Sequence, residues 1–275
     1  MLTERLFPSG LVLALCLAIA GCEAPRPQGA AAPRSGVGSD LHIPPFAKAP
    51  YQAFSREAAV QIALREWRAF GSPVVVPNTE LPFNNERAEG LWQRVGEYWW
   101  LGLPIGYSEQ GFTGKHDANG RIFSEREDGN YAWSAAFIGY LMRMAGARDR
   151  FLYSPNHSDY INASAQRATG VNPGLVTVAE RPGSYVPQRG DLICYSRGGR
   201  PIRYDDLPTG RFPGHCDIVT TVGSGVLEVI GGNVDNSVSM KRIPVAGDGR
   251  LVTPDGNVVD PDHPWFVVLR VLYEG

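Results

Sequence analysis

The apolar residues of this chain change their period part-way along it, and that change constrains the fold more than any other feature. Ser55 precedes a stripe of Ala59, Ile62, Ala63, Trp67 and Phe70 that stops at Gly71, the pattern of an N-capped amphipathic helix over 56–70. Leu91, Val95, Tyr98 and Trp99 predict a second helix over about 87–100. Phe137, Tyr140, Leu141 and Met144 predict a third over 131–145, opened by Asp128-Gly129-Asn130 and closed by Gly146. Beyond residue 185 the runs shorten and read as strands over 191–196, 215–222, 226–230, 237–243 and 265–273, with Gly223-Ser224 as a two-residue hairpin signal. Helices first and strands second predict an α+β domain, its N-terminal helices packed on a mostly antiparallel sheet.

That domain does not need all 275 residues. After Arg5, the ten apolar residues from Leu11 to Ala20 are too few to span a bilayer and read as the core of a signal peptide over 1–21. Ile19-Ala20-Gly21-Cys22 resembles a bacterial lipobox, so Cys22 is expected to be lipidated, and Glu23 after it favours the outer membrane, facing the periplasm. Residues 23–50 are a tether in which 15 of 28 positions are Ala, Gly or Pro, leaving 51–275 as a single folded domain. With 26 Lys+Arg against 28 Asp+Glu, the chain lacks the basic excess of a nucleic-acid binder. A monomer anchored to the membrane through lipid is expected.

A nucleophile must be exposed and activated, and Ser134 falls in the first turn of the third predicted helix, where the partial positive charge and unpaired amides lie. Strand alternation puts His215, Asp217 and Val219 on one face and Cys216 and Ile218 on the other, so Cys216 and His215 cannot form a nucleophile–base pair. Asn233 follows Gly231-Gly232 and is placed to orient an imidazole. The loop Thr113-Gly114-Lys115-His116-Asp117 does not fit a phosphate-binding pattern, and no G-x-S-x-G surrounds Ser134.

Four segments in order, Trp133-Ser134-Ala135-Ala136-Phe137, Gly190-Asp191-Leu192-Ile193, Gly214-His215-Cys216-Asp217-Ile218-Val219 and Ile230-Gly231-Gly232-Asn233, resemble the CHAP and NlpC-type branch of papain-like cell-wall peptidases and amidases. The nearest pattern is the uncharacterised bacterial group called domain of unknown function 2272, over roughly residues 90–273. The resemblance implies a papain-like fold and hydrolysis of amide bonds in peptidoglycan peptides without a cofactor or metal. Ser134 takes the nucleophile place, His215 the base place and Asn233 the orienting place. Two positions depart from the pattern: serine stands where it has cysteine, and Gly231 where it often has glutamate.

Asp217 or Asp235 would then supply the missing carboxylate, and His157 and Trp133 would line the cleft, His157 having an equally good reading as a loop cap. Two other functions stay open: a cell-wall-binding lipoprotein without turnover, and a zinc amidase using the His-Asp pairs at His157/Asp159 and His215/Asp217, with His116-Asp117 and Asp262-His263 as further donors, although no H-E-x-x-H is present. In the family's sheet Cys194 and Cys216 lie on neighbouring strands, as a disulfide or as two small buried residues. Trp92, Tyr98, Trp99 and Trp100 read as core packing ahead of a glycan-stacking wall.

Overall fold

Local signals set the first helix. In a computed structural model, which describes residues 53–76, 86–198 and 201–274, α1 spans Arg56–Ala69, and the Ser55 hydroxyl accepts from the Ala58 amide. Such a cap contributes about 1 kcal/mol. The expected signal peptide, Cys22 and the whole of the tether lie outside the described residues. Helix α2 spans Leu91–Gly102, starting four residues later than its periodicity suggests, and α3 spans Ser134–Met144, starting three later. The stretch before α3 that resembles a helix start, 125–131, is a 3-10 turn.

The helices are held by close backbone approach and one buried charge cluster. A Cβ on Gly102 would lie 2.0 Å from the Ala136 carbonyl oxygen, and one on Gly139 would lie 2.1 Å from that of Gly102, so only glycine lets α2 and α3 touch here. Arg143 of α3 donates to the carbonyls of Leu101 and Leu103, satisfying acceptors that the end of α2 leaves unpaired. Glu66 of α1 is fully buried and accepts from Arg65, Arg94, Tyr98 and, at 3.4 Å, Tyr140, four donors that make a buried carboxylate tolerable. Tyr98 and Trp99 lie in the core, as their spacing implies, whereas Trp100 is exposed.

Two elements go beyond the predicted pattern. Helix α4, His157–Ala168, buries Ser158 and Ser164 where an apolar stripe would be expected, and β1 is only four residues, Thr177–Glu180. The other strands are β2 Leu192–Ser196, β3 Gly214–Val222, β4 Val226–Val234, β5 Ser237–Pro244 and β6 Trp265–Val271. They form one antiparallel sheet in the order β1-β6-β2-β3-β4-β5. The fold is thus α+β, with the helices packed chiefly against the face that carries Cys194, Cys216, Ile218, Ile230 and Val267. Tyr195, Val219, Val229, Ile243 and Trp265 form a second apolar cluster.

The hairpins correct one expectation. Gly223-Ser224 is part of a three-residue connection, 223–225, in which Gly225 takes the positive φ of 75°. The two-residue turn is instead Asp235-Asn236 between β4 and β5, with φ of 50° and 55°, torsions that Asp and Asn tolerate better than most residues. Cys194 and Cys216 are paired in the β2–β3 register and form a disulfide. Among the described residues no helix is long and apolar enough to cross a membrane.

Candidate active site

Ser134 is the first residue of α3, and the first amide to close a helical hydrogen bond is that of Phe137, which donates to the Trp133 carbonyl. The amides of Ser134, Ala135 and Ala136 therefore have no carbonyl four residues back to bind, and the helix dipole gathers positive potential around them. Ser134 Oγ lies 2.7 Å from Nε2 of His157, which is the first residue of α4. The Tyr160 hydroxyl, one turn further along α4, meets the other ring nitrogen, Nδ1. Gly214 of β3 lies against His157, a Cβ there standing at an ordinary contact distance of 3.5 Å from the His157 Cβ.

His215 does not make the contact with Ser134 that its place in the sequence suggests. Both of its ring nitrogens are engaged: Nδ1 accepts from Arg197 at 2.8 Å, and Nε2 lies 3.0 Å from Asp217 Oδ1. Because the guanidinium only donates, Nδ1 carries the lone pair and Nε2–H donates to the carboxylate. The two imidazoles are neighbours, with ring centroids 5.3 Å apart. What separates His215 from the serine is the charged partner on each of its edges.

Asn233 is likewise displaced from the orienting role. The β4–β5 register shifts between Gly231 and Val234, and Asn233 sits in that irregularity at φ 54°. A bulge re-aims the residue it contains, and Asn233 lines a cleft of ≈ 500 Å³ together with Asp128, Tyr195, Arg197, Asp235, Lys241 and His263. Asp217 orients His215 instead. A Cβ on Gly231 would fall 1.8 Å from Asp217 Oδ1 and 2.9 Å from His215 Nε2, so the absent side chain at 231 leaves the space that the Asp217 carboxylate fills. Asp235 lines the cleft, and among the described residues neither histidine bonds to it.

Asp217, His215 and His157 are all buried, and the one carboxylate among them is matched by Lys241. Asp217 is fully buried and also accepts from Lys241 at 2.8 Å. Burial opposes its ionisation, but Lys241 and His215 hold its carboxyl well below the usual range. Burial pushes the His215 imidazole down to about 3, with Lys241 and Arg197 adding to the effect and Asp217 opposing it. His157 is pushed well below its ordinary value, first by burial and then by His215 and Arg197. Both rings are therefore neutral near pH 7, and Nε2 of His157 keeps a lone pair whenever Nδ1 carries the hydrogen.

Trp133, the residue before the serine, is buried and donates its indole N–H to Glu86 at 2.5 Å. The Glu86 carboxyl is pushed up to about 7, mainly by burial and also by Asp128, with the indole bond acting the other way. Asp128 is itself tied to Arg87 at 2.7 Å.

Of the residues that the sequence reading passed over, Tyr160 lies one turn from His157, and Lys241 is the buried one of two adjacent cations in β5, Arg242 being exposed. Glu86 and Arg197 carry no local pattern. Of the His-Asp pairs considered for zinc, Asp159 is taken by Arg211 and Ser154 and Asp217 by Lys241 and His215. Among the described residues no group of three or more His, Cys, Asp or Glu side chains is arranged to hold a metal ion.

A family model described as an uncharacterized protein conserved in bacteria (DUF2272) matches residues 86–271. The chain belongs to this family. The matched stretch of the DUF2272 domain starts at Glu86 and runs to the end of β6, so it contains Ser134, His157, His215 and the whole sheet, and leaves out α1. No curated protein and no solved structure matches the chain.

Proposed function

We propose that this DUF2272 protein is an exported, outer-membrane-anchored lipoprotein that hydrolyses amide bonds of peptidoglycan peptides through Ser134, on a domain of the papain-like CHAP and NlpC type. The observation that carries the proposal is the 2.7 Å contact between Ser134 Oγ and His157 Nε2 at the N-terminus of α3. It makes His157, and not His215, the base of the proposed reaction.

In the productive tautomer Nδ1–H of His157 donates to the Tyr160 oxygen, and Nε2 accepts the Ser134 proton as Oγ attacks the substrate carbonyl carbon. The carbonyl π pair moves to oxygen, and the amides at the start of α3 receive that oxyanion. Nε2–H then passes its proton to the leaving nitrogen, the C–N bond breaks, and an acyl ester remains on Ser134. Water attacks the ester, giving one proton to Nε2, and collapse of the second intermediate releases the carboxylic acid and restores the Ser134 hydroxyl. His215, fixed by Asp217 and Arg197, stands beside the base without accepting that proton.

One observation favours the alternative of a binding lipoprotein without turnover: Ser134 is only 4% exposed and does not line the ≈ 500 Å³ cleft. Digestion of purified peptidoglycan by the full chain, read by mass spectrometry beside Ser134→Ala, separates the two. New peptide termini with the wild type and none with Ser134→Ala are expected. Binding to the wall with no new terminus from either protein would leave the binding reading. The anchor is checked by Cys22→Ser, which should move the protein from the membrane fraction to the soluble one.

A further inference from the structure

Two cations line the cleft, and they differ in what holds them. Lys241 is buried and neutralised by Asp217 at 2.8 Å. Arg197 is half-buried, and among the described residues it has no carboxylate partner. Its contacts are Nδ1 of His215 at 2.8 Å, the Tyr195 hydroxyl at 3.4 Å and the face of the Tyr195 ring, its guanidinium carbon 5.8 Å from the centroid. A neutral imidazole engages one edge of a guanidinium whose five donors suit a carboxylate far better. Of the two carboxylates lining the same cleft, Asp128 is bound by Arg87, and Arg197 donates to His215 and Tyr195 rather than to Asp235.

We infer that Arg197 is a receptor for a carboxylate on the substrate and determines specificity for peptides that carry one close to the bond to be cleaved. The inference rests on the peptide-hydrolase reading for its substrate class, while its geometry is independent of turnover. Arg197 touches His215, His215 packs against His157, and His157 holds Ser134, so an anion seated on Arg197 is placed a few side chains from the proposed nucleophile. Seating it would also screen one of the positive charges that weaken His157 as a base, coupling recognition of the carboxylate to proton transfer.

The test uses the full chain and the soluble muropeptides that a muramidase releases from peptidoglycan, before and after carbodiimide amidation of their carboxylates. Binding is measured by calorimetry to the wild type, Arg197→Gln and Arg197→Lys, with the melting temperature of each protein recorded. The expected result is binding that weakens at least about tenfold on amidation of the ligand, and equally in Arg197→Gln, with partial recovery in Arg197→Lys. Amidation leaves the protein untouched, so that arm stands even if a variant folds poorly. Equal binding of native and amidated muropeptides, or no binding of either, overturns the inference. Ser134-dependent products assayed in parallel keep the two readings apart. Carboxylate-dependent binding without products retains the receptor and removes the hydrolase, and products that form equally from both pools do the reverse.

Discussion

Two buried histidines lie with ring centroids 5.3 Å apart, and they are built for different work. His157 is met by two hydroxyls, those of Ser134 and Tyr160, each able to donate or accept. His215 is met by an arginine that only donates and a carboxylate that only accepts, so its tautomer is fixed and it has no lone pair left to offer. Burial drives both below the ordinary histidine range, so charge state does not distinguish them. What distinguishes them is partner chemistry. A ring between hydroxyls can pass a proton, whereas a ring between fixed charges holds a shape.

The widest gap between the two sites should appear in turnover. His157→Gln is expected to lower kcat on peptidoglycan by about 10²–10⁴-fold, with Ser134→Ala losing at least as much. His215→Gln should lower it by much less in protein that remains folded. Product release per folded molecule, measured by mass spectrometry at matched concentrations, checks this. Equal losses in His157→Gln and His215→Gln would return the base role to His215.

Stability should show the opposite ranking. Asp217→Ala leaves Lys241 buried without its carboxylate and removes the acceptor of His215, at a cost of about 3–5 kcal/mol. Ser134→Ala removes one hydroxyl contact and should cost only ~1 kcal/mol. Denaturant midpoints with unchanged slopes would establish the contrast, and an Asp217→Ala protein as stable as Ser134→Ala would remove the difference between the two histidine sites.

Dependence on pH sharpens it further, because the carboxyl behind Trp133 acts with the opposite sign to the histidines. His157 and His215 bind protons more weakly folded than unfolded, so they weaken the fold as pH falls below the ordinary histidine value of 6.5. Glu86 binds its proton more tightly folded, with its value raised from 4.5 to about 7. Its contribution is therefore complete below 4.5 and lost as pH rises through about 7, up to ~3 kcal/mol across that window. Relative to the wild type, Glu86→Gln should gain stability from pH 5 to pH 8. Parallel melting curves of the two proteins across that range would refute the buried, protonated Glu86.

How much of this was legible in the sequence follows from which residues carry local patterns. The amphipathic stripe before Gly71 and the alternation from His215 to Val222 are periodic, and they located α1 and β3 within a residue or two. Ser134 was found because it stands at a helix start, and Asp217 because it shares the face of His215. Helix α4 was missed because it buries serines where a stripe requires apolar residues, and with it went the role of His157. Asn233 was misplaced because the irregularity between Gly231 and Val234 breaks the alternation that would have aimed it. The Arg197–His215 contact joins residues 18 apart across the loop between β2 and β3, a closure that no local pattern encodes.

The smallest effect tests the finest part of the contrast, the tautomer of His157. Nε2 can accept the Ser134 proton only while Nδ1 carries its own hydrogen, and the Tyr160 oxygen is the acceptor that favours this form. Tyr160→Phe keeps the ring that packs against Phe151 and removes only the oxygen. The buried Nδ1 then has no partner in either tautomer, so the productive form loses its preference without losing its geometry. A fall in kcat of about tenfold or less and a loss of ~1 kcal/mol in stability are expected, since one buried hydrogen bond is removed. The corresponding change on the other ring is Arg197→Gln, which should alter KM for carboxylate-bearing peptides more than kcat. A Tyr160→Phe protein that changes KM and leaves kcat alone would mean that the hydroxyl shapes the cleft and has no part in setting the tautomer.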